Sequence, residues 1–241
     1  MADDDLTPPR PVKAQLDPSK SNFVTIVGRK GSGKSELAAR LWDGYPFDRL
    51  ALDPTGDARV GLDVTELHAP LPARWPADVQ NRRVSLRFVP DPGSPTYSDD
   101  LDRACGLAFR HRRVMLWIDE VGELTRTGKT APNFARILQQ GRHRDITLLC
   151  CGPRPMTIDP LVVAQADYVY VFQLPNPADR RRVADVIGYD PKDFDAAVNA
   201  LAQYEYLRWD SREQELLHFP PIPPVKTGPP APPPPNPTLA G

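Results

Sequence analysis

The stretch from Phe23 to Ser35, Phe-Val-Thr-Ile-Val-Gly-Arg-Lys-Gly-Ser-Gly-Lys-Ser, leaves the chain around it little freedom in how to fold. Phe23 to Val27 is an unbroken β-branched and aromatic run, the composition of a central parallel strand buried on both faces. It passes straight into a Gly-x-x-x-x-Gly-Lys-Ser loop, whose Gly28, Gly31 and Gly33 let the backbone curl until successive N–H groups face a single anion. A helix beginning at Lys34, with Glu36 to Trp42 as its body, adds the positive end of its dipole. Lys34 then reaches the β- and γ-phosphates of a nucleotide while the Ser35 hydroxyl ligates Mg²⁺. The candidate nucleotide-binding residues are therefore Gly28, Arg29, Lys30, Gly31, Ser32, Gly33, Lys34, Ser35 and Glu36, with ATP and Mg²⁺ as the expected cofactors.

Composition bounds what such a loop can serve. The 241 residues suit one α/β domain with appendages. Of the thirty prolines, eleven fall between Pro220 and Gly241 and four in the first eighteen residues. Segments 1–18 and 220–241 are accordingly expected to be extended and flexible, leaving 19–219 as the folded unit. Three cysteines, two of them adjacent in an apolar run at Cys150 and Cys151, form no disulfide framework and have no metal-ligand spacing. They are expected to be small core residues in a reducing compartment. The acidic start is unlike a signal peptide, and no apolar run reaches the roughly 18 residues of a membrane helix, so a soluble, cytoplasmic protein is expected. A net charge of −1 argues against a globally basic nucleic-acid coat. Arginines nevertheless cluster at 110–113, 142–144 and 180–182, each group either a solvated helix face or a phosphate contact.

After the loop, Arg49 to Asp53 reads as a second sheet strand ending in the turn Asp53-Pro-Thr-Gly-Asp57. Residues 60–81, with prolines at 70, 72 and 76 and weak periodicity, read as an irregular excursion. Val84 to Val89 reads as a strand. Ser98 then caps a helix whose Leu101, Cys105, Ala108 and Phe109 share a face and whose end is closed by Arg110 to Arg113.

Val114 to Ile118 is a further, buried strand, and Asp119 and Glu120 stand at its C-terminal end, where open α/β sheets place their ligands. A P-loop enzyme needs a carboxylate there to hold the Mg²⁺ water shell, which suits Asp119. Glu120 is placed to polarise the water that attacks the γ-phosphate. The pair favours hydrolysis over transfer to a small acceptor. Beyond it come a loop from Gly122 to Pro132 carrying Arg126 and Lys129, a helix over Asn133 to Gln140, and a strand over Ile146 to Cys151. Two more helices over 178–187 and 191–201 follow, then a closing hairpin over 204–209 and 215–219.

The order of these motifs resembles the FtsK–HerA superfamily of ring-forming DNA pumps, and within it the compact genome-packaging ATPases of tailless, membrane-containing double-stranded DNA viruses. The resemblance is carried by the loop at 28–35, the turn at 53–57, Asp119-Glu120, Gly-Arg-His-Arg at 141–144, Gly-Pro-Arg-Pro at 152–155 with Ile158-Asp-Pro160, and Tyr168 to Phe172 followed by Pro-Ala-Asp-Arg-Arg-Arg. It implies an α/β P-loop NTPase of the ASCE, RecA/FtsK–HerA-like kind, with a mostly parallel central sheet flanked by helices and a C-terminal hairpin. Where that family commonly ends the strand after its carboxylate pair in Thr-Gln-Arg-Pro, this sequence has Gly152-Pro153-Arg154-Pro155, so the sensor glutamine is missing.

The resemblance further implies an arginine finger supplied in trans, because charge develops on the γ-phosphate during hydrolysis. Arg142 matches that position best and Arg144 next; a surface arginine at the helix end is the alternative for both. Arg126 and Lys129, in the loop after the carboxylates, are the candidate DNA contacts, touching phosphates without reading bases. The implied whole is an ATP-driven translocase, a homo-oligomeric ring, hexameric or pentameric, that moves double-stranded DNA into a preformed capsid. It implies a capsid-vertex or portal docking partner, no integral membrane segment, and a location in the host cytoplasm or on the virion. The proline-rich tail is either a disordered end or a tether to such a partner. Three rivals differ in class: a filamentous-phage-type assembly ATPase, which should carry a membrane helix; a small-molecule or nucleotide kinase, with Arg180 to Arg182 as a lid; and a non-hydrolysing adaptor.

Overall fold

The computed structural model describes residues 16–17, 20–61, 63–76, 83–125 and 129–222, which leaves Arg126 and the tail beyond Ile222 outside the described residues. Within them the strands are β1 (Phe23–Val27), β2 (Asp48–Leu52), β3 (Thr65–Leu67), β4 (Ser85–Phe88), β5 (Val114–Ile118), β6 (Thr147–Gly152), β7 (Tyr168–Val171), β8 (Tyr206–Asp210) and β9 (Glu215–Phe219). The helices are α1 (Lys34–Gly44), α2 (Tyr97–His111), α3 (Pro132–Gln140), α4 (Pro160–Ala164), α5 (Pro177–Ile187) and α6 (Pro191–Asn199). All nine strands form one sheet in the order β3-β4-β2-β5-β6-β1-β7-β8-β9. From β3 across to β7 neighbouring strands run parallel, and the β8–β9 hairpin joins antiparallel at the β7 edge.

The alternation of side chains along each strand divides the core into two layers. On one face Val24 and Ile26 of β1 and Met115 and Trp117 of β5 pack against Leu37, Leu41 and Trp42 of α1. On the other, Phe23, Val27, Val114, Leu116 and Ile118 meet Leu101, Phe134, Val162, Val183 and Phe194 from α2 to α6. Burial on both faces is why β1 and β5 are apolar at every position, each large side chain contributing about 1.5–3 kcal/mol. The three cysteines are free and buried among these residues, as expected of core residues.

Several local expectations are corrected. The excursion over 60–81 is not wholly irregular: Thr65–Leu67 adds a short parallel edge strand to β4. Three residues carry too short a pattern to register in the sequence, and the pairing is supplied by the neighbouring strand. The N-cap position of α2 belongs to Thr96, and Ser98 falls inside the first turn. That helix ends at His111, and Arg112 and Arg113 turn out of it with φ of 69° and 42°. Arg180, expected on a solvated or lid-like face, is buried: its Nε lies 2.5 Å from Asp195 Oδ1 and its Nη1 donates to the carbonyls of Leu174 and Pro175. It braces α5 against α6 and is no lid residue. No helix among the described residues is long and apolar enough to cross a membrane.

Candidate active site

β1 ends at Val27, and the chain turns at once through Gly28, Gly31 and Gly33, whose φ values of 156°, 76° and 108° suit glycine. Space enforces two of the three: a Cβ on Gly28 would stand 2.6 Å from Phe172 Cβ, and one on Gly33 would stand 3.1 Å from the Phe172 ring. Phe172, fully buried at the end of β7, is thus the floor on which the loop lies. The Arg29 N–H donates to the Gln173 carbonyl at 2.9 Å and fastens the loop there. Ser32 is buried, and its hydroxyl oxygen has no hydrogen-bond partner. A buried hydroxyl left unsatisfied inside a curl of backbone amides fits an anion that would complete it, so the residues present suit a phosphate chain.

Lys34, at the start of α1, donates from Nζ to the Arg29 carbonyl at 3.0 Å. Burial pulls its pKa down, and the charges of Glu120 and Asp119 pull the other way. The carboxylate pair therefore shares one electrostatic environment with the loop lysine, although 85 positions separate Lys34 from Asp119 in the chain. Topology accounts for the meeting. β6 lies between β1 and β5, so the loop strand and the carboxylate strand are two strand spacings apart, roughly 10 Å. The three strands run parallel, so their C-terminal ends open on one edge.

Burial raises the Asp119 pKa to about 6; Asp53 adds to the rise and Lys34 opposes it. Asp53, at the end of β2, is itself fully buried and fully partnered. Arg87 of β4 donates to its Oδ2 at 2.9 Å from Nε and 2.6 Å from Nη2, and the backbone N–H groups of Asp57 and Ala58 each donate at 3.1 Å. The 53–57 turn is therefore anchored from beneath by an arginine that sequence reasoning did not single out. Only its pairing across β2 and β4, not its spacing, marks Arg87. Glu120 Oε1 borders Gly122, where a Cβ would come 3.3 Å from it and 3.6 Å from Thr157 Oγ1. Thr157, also unforeseen, is the polar side chain that the stretch after β6 brings to the other side of Gly122. Pro153 stands where the glutamine is missing, and Arg154 beside it ion-pairs with Asp179 at 3.6 Å.

A cleft of about 810 Å³ opens over the loop, lined by Lys30, Gly31, Gly33, Lys34, Ser35 and Glu36. Asp57 and Arg59 form one wall, Arg59 pairing with Glu36 at 3.0 Å. Phe172, Tyr204 and Ile222 form another. The remaining predicted residues lie elsewhere. Arg142 and Arg144 sit in a single 3₁₀ turn just before β6, at the opposite edge of the sheet from the loop. Arg142 Nη1 is 2.6 Å from Asp167 Oδ2, and its guanidinium covers the Phe23 ring at 4.2 Å. Arg144 lies 4.7 Å over the Phe109 ring and makes no ion pair among the described residues. Lys129 is exposed ahead of α3, and its companion Arg126 lies outside the described residues.

The class of protein defined by this fold and site is a P-loop NTPase in which an added strand separates the phosphate loop from the carboxylate pair. No family model matches the chain. It is 26% identical over 224 residues to the DNA packaging ATPase P9 of Enterobacteria phage PRD1, covering 86% of this chain and 89% of that protein. It is 24% identical over 186 residues to protein P9 of Pseudoalteromonas phage PM2, covering 71% of this chain and 78% of that one. Among solved structures it matches the genome packaging NTPase B204 of Sulfolobus turreted icosahedral virus 2, crystallised with AMPPCP, at a TM-score of 0.62 and 20% identity over 86% of this chain and all of that one. The resemblance expected from the motifs thus holds: the chain is similar to viral genome-packaging ATPases and is itself a P-loop ATPase in fold.

Proposed function

We propose that this chain hydrolyses ATP in order to drive double-stranded DNA into a viral capsid, acting as a homo-oligomeric ring in the infected host's cytoplasm and at the capsid vertex. The observation that carries the reading is the convergence of Lys34 with Asp119 and Glu120 on one edge of the sheet. The similarity to the DNA packaging ATPase of phage PRD1 supports the DNA-packaging part of the reading.

The residues divide the chemistry among themselves. The loop amides and Ser32 hold the phosphates, and the Lys34 ammonium offsets charge on the β- and γ-oxygens. Ser35 and Asp119 would hold Mg²⁺, which when bound would neutralise charge on the phosphates. Glu120 takes a proton from the attacking water, a role that contributes roughly 10²–10⁴-fold. Lys129 and Arg126 contact the DNA backbone, and an arginine from a neighbouring subunit, Arg144 or Arg142, meets the developing charge. The Asp119-Glu120 pair at the end of β5 favours this over the kinase reading, because a carboxylate beside the metal ligand suits activation of a water.

ATP turnover measured with and without duplex DNA, in wild type and Glu120→Gln, alongside particle sizing, tests the reading. A ring whose turnover is stimulated by DNA and lost in Glu120→Gln is the expected result. A monomer indifferent to DNA would overturn it.

A further inference from the structure

The cleft above the phosphate loop does not end at the phosphates. Its far wall carries Tyr204 and Ile222. Tyr204 lies in the turn between α6 and β8 and is 46% exposed, one of few large apolar side chains so placed among the described residues. Its neighbours behave differently: Phe172 and Tyr206 are buried and pack against each other at 5.2 Å between ring centroids. Phe172 is therefore already committed beneath the loop glycines and is fully buried.

The backbone holds Tyr204 out deliberately. Its φ is 69°, a conformation that bulky residues rarely adopt and that persists only where surrounding contacts fix it. Those contacts are present. The Ala202 N–H donates to Glu205 Oε2 at 2.9 Å, the Glu205 N–H donates to the Ala202 carbonyl at 3.2 Å, and His218 Nε2 lies 3.1 Å from the same carboxylate, tying the turn to β9. An exposed aromatic ring kept in a left-handed turn at the rim of a phosphate-binding cleft has the attributes of a stacking platform.

We propose that Tyr204, backed by Ile222, is the platform on which the nucleobase stacks, so that a bound nucleotide spans the phosphate loop and the turn that opens the C-terminal hairpin. This rests on the nucleotide-binding reading given above and assigns its specificity. Stacking requires only a π face, which every base presents, so the platform distinguishes a nucleotide from a bare polyphosphate rather than one base from another. It also makes the β8–β9 hairpin, at the end of the sheet, the element that senses whether a base is present.

The test compares Mg²⁺-ATP, Mg²⁺-ADP and base-free inorganic tripolyphosphate, titrated into the full chain as wild type, Tyr204→Ala, Tyr204→Trp and Lys34→Ala. Tyr204→Ala is expected to weaken ATP and ADP about tenfold or more while leaving tripolyphosphate unchanged. It should raise KM for ATP with kcat near wild type. Tyr204→Trp should restore affinity, and its indole fluorescence should respond to nucleotide but not to tripolyphosphate. Equal ATP affinity in Tyr204→Ala and wild type would overturn the platform, as would a parallel loss of ATP and tripolyphosphate. Lys34→Ala separates the two readings: if it binds both ligands as wild type does, the phosphate-loop reading itself fails.

Discussion

The Asp167 carboxylate, just before β7, ties Arg142 to the start of the phosphate-loop strand: Oδ2 accepts from Arg142 Nη1 at 2.6 Å and from the Phe23 N–H at 2.8 Å. Arg212 reaches the other oxygen at 3.3 Å, and the Asp167 N–H donates back to the Phe23 carbonyl. One buried carboxylate thus fixes the lower ends of β1, β6 and β7 together. Asp167→Ala would leave the Phe23 N–H without its side-chain acceptor and Arg142 without its ion-pair partner, its guanidinium keeping only the Gln165 and Ser21 carbonyls. We expect a loss of about 2–4 kcal/mol, read as a lower urea midpoint with unchanged slope. An unaltered midpoint would mean that water replaces the carboxylate at no cost.

Arg142 and Arg144 should separate in behaviour. Arg142→Ala is expected to lower stability, because its side chain is engaged within its own chain. Arg144, whose side chain is held only by Phe109 among the described residues, is the one free to act on a neighbour. Arg144→Ala should leave the urea midpoint within about 0.5 kcal/mol of wild type but cut turnover by roughly 10³-fold or more. Mixing Arg144→Ala with Lys34→Ala subunits should recover part of that turnover. Absence of recovery at every mixing ratio would remove the trans role.

The Asp119 pKa of about 6 sets a pH dependence with a definite sign. Because the folded pKa lies above the unfolded value of about 3.9, the native state binds the proton more tightly, and this group's contribution to stability falls as pH rises from about 4 to 6. Holding Mg²⁺ requires the deprotonated carboxylate, so Mg²⁺-nucleotide affinity should fall as pH drops below about 6. Asp119→Asn should weaken binding and flatten that dependence. Calorimetric titration with Mg²⁺-ADP across pH 5 to 8 measures both.

Gly28 and Gly31 should differ although both belong to the loop. A Cβ at 28 meets Phe172 Cβ at 2.6 Å, whereas at 31 nothing lies within 4 Å. Gly28→Ala is expected to cost about 1–3 kcal/mol through overpacking in addition to the left-handed backbone penalty that it shares with Gly31→Ala. Gly31→Ala should cost only the left-handed backbone penalty of about 1–2 kcal/mol. Equal losses in thermal unfolding would contradict Phe172 as the loop's floor.

The parts of this protein written in local sequence were those whose chemistry demands contiguous residues. The loop from Gly28 to Ser35 and the strand from Val114 to Ile118 with its carboxylates were legible because glycine curvature, a buried apolar run and a helix start must follow one another along the chain. Even the added strand between them was readable, as an apolar run ending near Cys151. Tertiary structure alone decided the rest, because strand order and packing bring together residues whose separation carries no pattern. It set Phe172 beneath Gly28, gave Asp53 its partner Arg87 across two strands, drew Arg142 into an ion pair, and left Tyr204 exposed over the cleft. Sequence fixes which backbone can hold a phosphate; which side chains surround it depends on the free energy of closing distant segments onto one sheet.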